Sequence, residues 1–138
     1  HMKNLITSIL AALTVLVGSI AKAETILYCQ SELATGFVKE NGSWRRAKFK
    51  SKRFTVKFND DYSNLHGLDK ARPYKCSWSH TKNPQLLICL SGYKNGESFL
   101  FNKKSRRFLH STPSIFGFVK DGMKPDTEGS YAGTCQKF

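Results

Sequence analysis

Four cysteines, Cys29, Cys76, Cys89 and Cys135, separated by 47, 13 and 46 residues, constrain this chain more than any other feature. No two form a Cys-x-x-Cys pair and no histidine cluster lies beside them, so the spacing argues against a zinc site. An even count of well-separated cysteines reads instead as two disulfides, which form and persist in an oxidising compartment. Four cysteines allow three pairings, and choosing among them requires a fold.

The N-terminal stretch supports the oxidising compartment. His1 precedes the start residue Met2 and is set aside as an expression remnant. "MKNLITSILAALTVLVGSIAKA" carries one early charge, Lys3, then an apolar run from Leu5 to Ile20, and ends in Ala21-Lys22-Ala23. That three-part layout is a secretory signal peptide, residues 2–23, with cleavage expected between Ala23 and Glu24. The run is shorter than the roughly 20 apolar residues of a spanning helix, and Thr7, Ser8, Thr14 and Ser19 interrupt it. Bulky Tyr28 before Cys29 does not suit lipidation. The expected mature chain is one domain, 24–138, with no transmembrane anchor, located in the periplasm or secreted. Lys3 and Lys22 leave with the leader, so 20 of the 22 basic residues remain against 10 acidic ones, a net charge of about +10.

The mature chain reads as short alternating runs separated by turns, the pattern of an all-β domain. "RFTVKF" places Phe54, Val56 and Phe58 on one side and Arg53, Thr55 and Lys57 on the other, as a half-buried antiparallel strand requires. From Leu27, alternate positions Leu27, Cys29, Ser31, Leu33, Thr35 and Phe37 form a mostly apolar or small face. "KENG" supplies a turn before "WRRAKF", a strand with basic residues on both faces. "NDDYSNLHGLDKARP" (Asn59–Pro73) is expected to be the longest loop, with room for one helical turn. "YKCSW" and "QLLICLSGY" follow as strands. Asn95-Gly96 is the strongest hairpin signal and leads into "ESFLF". "RRFLH", "IFGFV" (Ile115–Val119, with Asp121-Gly122 as its exit turn) and "SYAGTCQKF" complete the set.

Eight or nine short strands without a helical stripe predict a small antiparallel up-and-down β-barrel of about eight strands, because closure removes exposed edges. A two-sheet β-sandwich is the alternative. In such a barrel the first and last strands are neighbours. A Cys29–Cys135 bond would then close the seam, and Cys76–Cys89 would clip one hairpin. This nested pairing is favoured, and the two crossed pairings stay open.

Enzymatic signals are missing from the sequence. There is no Gly-x-Ser-x-Gly, no free cysteine is expected, and no calcium-loop or phosphate-loop spacing occurs. Asp60-Asp61 are adjacent in a turn and read as loop formers rather than a convergent carboxylate pair. His66, His80 and His110 read as isolated, solvated residues in or beside turns. No catalytic residue, metal ligand set or cofactor is implied, and the expectation is a non-enzymatic protein.

The distinctive chemical feature is basic. Arg45, Arg46, Lys48, Lys50, Lys52, Arg53 and Lys57 fall within 13 residues, and Lys103, Lys104, Arg106 and Arg107 within five. Trp44, Phe49, Phe54 and Phe108 are interleaved with them and could stack on bases or sugars. Such a face attracts polyanions with salt-dependent affinity. In an envelope the candidate partners are lipopolysaccharide, anionic lipid headgroups, acidic glycans or nucleic acid. The competing reading is a solvated outer surface with the aromatics turned inward.

"LYCQSELATGF", "FLFNKKSRRF" and "GTCQKF" together resemble a family of short exported bacterial and marine-phage-associated proteins that open on Tyr-x-Cys followed by Thr-Gly-Phe or Thr-Gly-Tyr and end on Gly-Thr-Cys, although here Tyr28 directly precedes Cys29. That resemblance implies an exported, cysteine-tied β domain and assigns no activity. In size, leader and barrel-like strands the chain is also similar to periplasmic inhibitors of C-type lysozymes, which would imply inhibition of a host or rival enzyme. A partner at about +10 would, however, be repelled by strongly basic lysozymes. The expected function is therefore a binding module whose basic face meets an anionic partner. A lipocalin- or avidin-like barrel holding a small apolar ligand is the second reading. It fails if Phe54, Val56, Phe58, Phe99 and Phe101 meet at the centre.

Overall fold

A computed structural model describes residues 23–79, 85–113 and 127–137. The leader apart from Ala23, together with His80 and the Ile115–Val119 strand with its exit turn, lies outside the described residues. The described residues form nine strands: β1 (Thr25–Glu40), β2 (Ser43–Lys48), β3 (Arg53–Phe58), β4 (Asn64–His66), β5 (Tyr74–Trp78), β6 (Leu86–Leu90), β7 (Ser98–Asn102), β8 (Arg107–Thr112) and β9 (Thr127–Lys137). Among the described residues there is no helix. The sheet runs β2-β1-β3-β4-β5-β6-β7-β8-β9, and β9 returns to pair with β1. Eight antiparallel strands therefore close into a barrel, and β2 is added outside the ring.

Both disulfides follow the nested pairing. Cys29 faces Cys135 across the β1–β9 seam, and Cys76 faces Cys89 across the β5–β6 hairpin. The Cys135 N–H donates to Arg106 O, and the Cys76 N–H donates to Ser63 O. Both amides thus point away from the strand to which the sulfur bonds. This leaves each cysteine in a non-hydrogen-bonded pair, where side chains of opposite strands come closest.

Two expectations need correction. The loop Asn59–Pro73 contains no helical turn; instead Asn64–His66 forms β4, which bridges β3 and β5. The predicted face of β1 is also broken. The β1–β9 register steps from Ser31↔Gly133 to Leu33↔Ala132, so Glu32 is an extra residue in a β-bulge. Alternation restarts out of phase: Ala34 and Gly36 are buried, while Leu33 and Phe37 turn outward. The bulge is tied down by Ser31, whose N–H donates to Lys52 O (2.9 Å) and whose Oγ accepts from Lys52 N (2.6 Å). Gly133 sits against it, since a Cβ there would lie 2.0 Å from Gln30 O.

The bulge divides β1 into two parts. Thr25–Gln30 pairs with β3 as part of the ring, whereas Thr35–Glu40 pairs with β2. With the start of β9, and with β8 alongside as far as Thr112, this outer half extends as a wing beyond the barrel. Its tip, Asn41-Gly42, has φ of 50° and 78°, the two positive values of the favoured two-residue hairpin turn.

Aromatic rings fill the lumen. Phe99 stacks on Phe108 at 5.4 Å, Phe54 meets Phe108 edge-on at 5.3 Å, and Phe58 meets Phe101 at 5.4 Å. Leu27, Val56, Leu65 and Leu87 complete a fully buried layer. Eight strands enclose just enough space for side chains. Each fully buried apolar side chain contributes about 1.5–3 kcal/mol. Phe54, Val56, Phe58, Phe99 and Phe101 therefore occupy the interior where an apolar ligand would lie.

Candidate functional site

One mouth of the barrel is built from the β7–β8 turn, the β3–β4 loop, the start of β1 and the end of β9. Asn102 organises the turn: its Oδ1 accepts from Lys104 N (3.0 Å) and Ser105 N (2.9 Å), and its carbonyl accepts from Arg106 N (2.7 Å). Arg106 adopts φ +60°, a left-handed conformation that costs a side-chain-bearing residue about 1–2 kcal/mol. Its carbonyl receives the Cys135 amide, so the seam holds the turn in place.

Tyr62, from the β3–β4 loop, also has φ +60°. Asp61 shapes that loop by accepting from Ser63 N and Oγ, which holds the Asp61 carboxyl below its usual range. The Tyr62 ring packs on Phe58 (5.1 Å) and Trp78 (6.1 Å), its hydroxyl is 3.0 Å from Thr25 Oγ1, and Lys103 Nζ stands 4.6 Å over its face. Lys103, Lys104, Arg106 and Lys137 rim a hollow of about 100 Å³, floored by Leu27 and Phe101 and bordered by Tyr62 and Thr25. Among the described residues none of these four cations has an acidic partner within salt-bridge distance.

The basic residues singled out in the sequence do not form one face. Lys103, Lys104 and Arg106 converge at this mouth and are joined by Lys137, which the clustering did not pick out. Arg107 points outward, opposite Thr134. It lies in one cross-strand row with Thr134, Gln30 and Arg53, across β8, β9, β1 and β3. Arg45, Arg46 and Lys48 are on β2, whose first partner on β1 is Thr35. At about 3.3 Å per residue that is roughly 33 Å along β1 from Thr25 at the mouth. Arg45 is engaged by Glu40 through two hydrogen bonds (2.7 and 3.0 Å), which lower the Glu40 pKa. Lys50 is exposed between β2 and β3, and Lys52 Nζ lies 4.1 Å over the Tyr131 ring at the opposite end of the barrel.

That opposite end carries a buried polar group. His110 is not a solvated turn residue: it points inward from β8 and is 8% exposed. Phe99, Tyr131, Phe54 and Tyr74 surround its ring at 5.9–6.3 Å, and among the described residues its Nε2 has no hydrogen-bond partner. Burial, with a smaller contribution from Lys52, lowers its pKa to about 4. Tyr74 donates to Glu97 Oε2 at 2.5 Å, and burial followed by that carboxylate pushes the phenol well above its usual range. His66 is exposed on β4. Among the described residues no group of three His, Cys, Asp or Glu side chains is arranged to hold a metal ion.

The fold and this mouth define a class: a small, disulfide-tied antiparallel barrel with a cationic rim at one end. The chain matches no protein-family model, no curated protein and no solved structure.

Proposed function

We propose that this protein is an exported, non-enzymatic binding module that takes an anionic group of an envelope or extracellular polymer into the barrel mouth. The observation that carries this reading is the convergence of Lys103, Lys104, Arg106 and Lys137 around one hollow with the Tyr62 and Thr25 hydroxyls beside it. Arg supplies a planar fork for phosphate, sulfate or carboxylate oxygens, and the three lysines supply flexible point charges. Phosphates of lipopolysaccharide, an acidic glycan and a nucleic acid backbone all offer that chemistry. The two disulfides are consistent with an oxidising environment and support a periplasmic or secreted location. The ring-filled lumen favours this surface reading over a ligand inside the barrel.

Retention on a heparin column tests the proposal. Lys104→Glu combined with Lys137→Glu should elute at lower salt, with a shallower salt dependence because phosphate-type contacts are lost. Lys70→Glu combined with Lys94→Glu makes the same change in net charge on loops of the opposite end. Equal loss of retention in both pairs would mean that only net charge matters, and would overturn the site.

A further inference from the structure

The wing carries a second surface of different character. Beyond the Glu32 bulge, the outward face of β1 presents Leu33, Thr35, Phe37 and Lys39, and that of β2 presents Trp44, Arg46 and Lys48. Leu33, Phe37 and Trp44 are 63%, 49% and 42% exposed, grouped on one face rather than scattered. The register alternates them with cations: Phe37 lies opposite Arg46, Thr35 opposite Lys48, and Lys39 opposite Trp44 with its Nζ 5.8 Å from the indole. Phe37, Trp44, Pro113 and Glu128 line an open apolar hollow beside them. Among the described residues the acids of this face are Glu128, opposite Phe37, and Glu32 in the bulge beside Leu33, whose Oε1 accepts from Thr134 Oγ1 at 3.4 Å, against three cations.

We infer that the outward face of the wing docks on an anionic lipid bilayer surface, with Trp44, Phe37 and Leu33 entering the interface and Lys39, Arg46 and Lys48 facing headgroup phosphates. The charge pattern and the aliphatic component select this occupant. A second copy on the same face would oppose cations to cations, a like-charge contact that costs affinity. A glycan or nucleic acid would use the aromatic rings and cations but gives exposed Leu33 nothing to contact. A bilayer uses all three: aromatic rings partition to the interface, aliphatic side chains to the acyl boundary, and cations to the negative surface. Neither signal alone holds a small protein on a membrane, and the wing combines them. The bulge is what makes the face, because Leu33 and Phe37 point outward only after Glu32 restarts the alternation. This surface is independent of the barrel mouth, which lies at the other end of β1.

Trp44 and Trp78 are the two tryptophans of the chain, so a Trp78→Phe background leaves Trp44 as the reporter. With phosphatidylglycerol vesicles its emission should shift to the blue and be quenched by brominated acyl chains. With phosphatidylcholine vesicles, or in high salt, both effects should be weak. Replacing Arg46 and Lys48 by Glu should lower vesicle partition at least about 25-fold, at about fivefold per cation removed. Leu33→Thr with Phe37→Thr should abolish the quenching while heparin retention through the mouth persists. Lys104→Glu with Lys137→Glu should leave the quenching intact. The inference is overturned if Trp44 is not quenched on anionic vesicles, if the mouth pair removes the quenching, or if sedimentation shows the wing buried in a dimer.

Discussion

Cys29 and Cys135, 106 residues apart in the chain, stand directly opposite each other on β1 and β9 with Cα atoms 4.0 Å apart. Their bond closes the ring where the first and last strands of the barrel meet. The Cys135 amide donates to the carbonyl of Arg106, so the same residue that locks the seam also supports the turn on which the cationic mouth is built.

That coupling predicts unequal costs for the two disulfides. In the chain-entropy model, removing the Cys29–Cys135 loop should cost about 4–5 kcal/mol and removing the 13-residue Cys76–Cys89 loop about 3 kcal/mol. Urea unfolding of the paired Cys→Ala variants measures both. Loss of the seam bond should also weaken heparin retention, whereas loss of the hairpin bond should not. Equal effects would separate the mouth from the seam.

His110 predicts an acid-sensitive fold. Its pKa is lowered from 6.5 to about 4 in the native state. Between those values the unfolded chain binds more protons than the folded one, so stability is greatest above pH 6.5 and declines as pH falls toward 4. The full loss is about 3 kcal/mol at 1.36 kcal/mol per unit. The groups that face the ring do not offset it: Phe54, Phe99, Tyr74 and Tyr131 are uncharged, Lys52 is cationic, and the Glu97 carboxylate is bonded to Tyr74. His110→Phe keeps a ring in the same aromatic box and removes the unpartnered Nε2. It should flatten stability between pH 4 and 6.5, read as the midpoint of thermal unfolding against pH. An unchanged slope would place the acid sensitivity elsewhere.

Arg106 predicts a trade between stability and binding. Glycine adopts a positive φ without the steric cost that arginine bears. Arg106→Gly should therefore raise stability by about 1 kcal/mol while lowering anion affinity, as heparin elution would show. Arg106→Lys keeps a charge and the strained backbone, so it should bind more weakly than the parent without gaining stability. A destabilised Arg106→Gly variant would mean that the side chain supports the turn by contacts other than charge.

Much of the barrel was legible from local pattern. β3 and β5 follow from the alternation in "RFTVKF" and the flanks of "YKCSW", because a period of two is a property of the backbone and needs no distant partner. The nested disulfides were legible once closure was assumed, since closure makes the first and last strands neighbours. The two basic runs were visible as composition, but their separation was not. Lys103 and Arg46 lie on different ends of the barrel because β1 is long enough to serve as a ring strand at one end and a wing strand at the other.

Residue pattern and composition are enough to specify the secondary-structure class, the positions of most strands, the even set of cysteines and the strong positive charge. These depend on side-chain period, turn residues and residue counts. Strand pairing, by contrast, is what makes Glu32 bulge and turns Leu33 and Phe37 outward, buries His110 without an Nε2 partner among the described residues, and brings Lys137 and Tyr62 to Lys103, Lys104 and Arg106. Each of these depends on which strand lies across from which. A single extra residue reverses every following side chain, and sequence spacing does not record the register between strands.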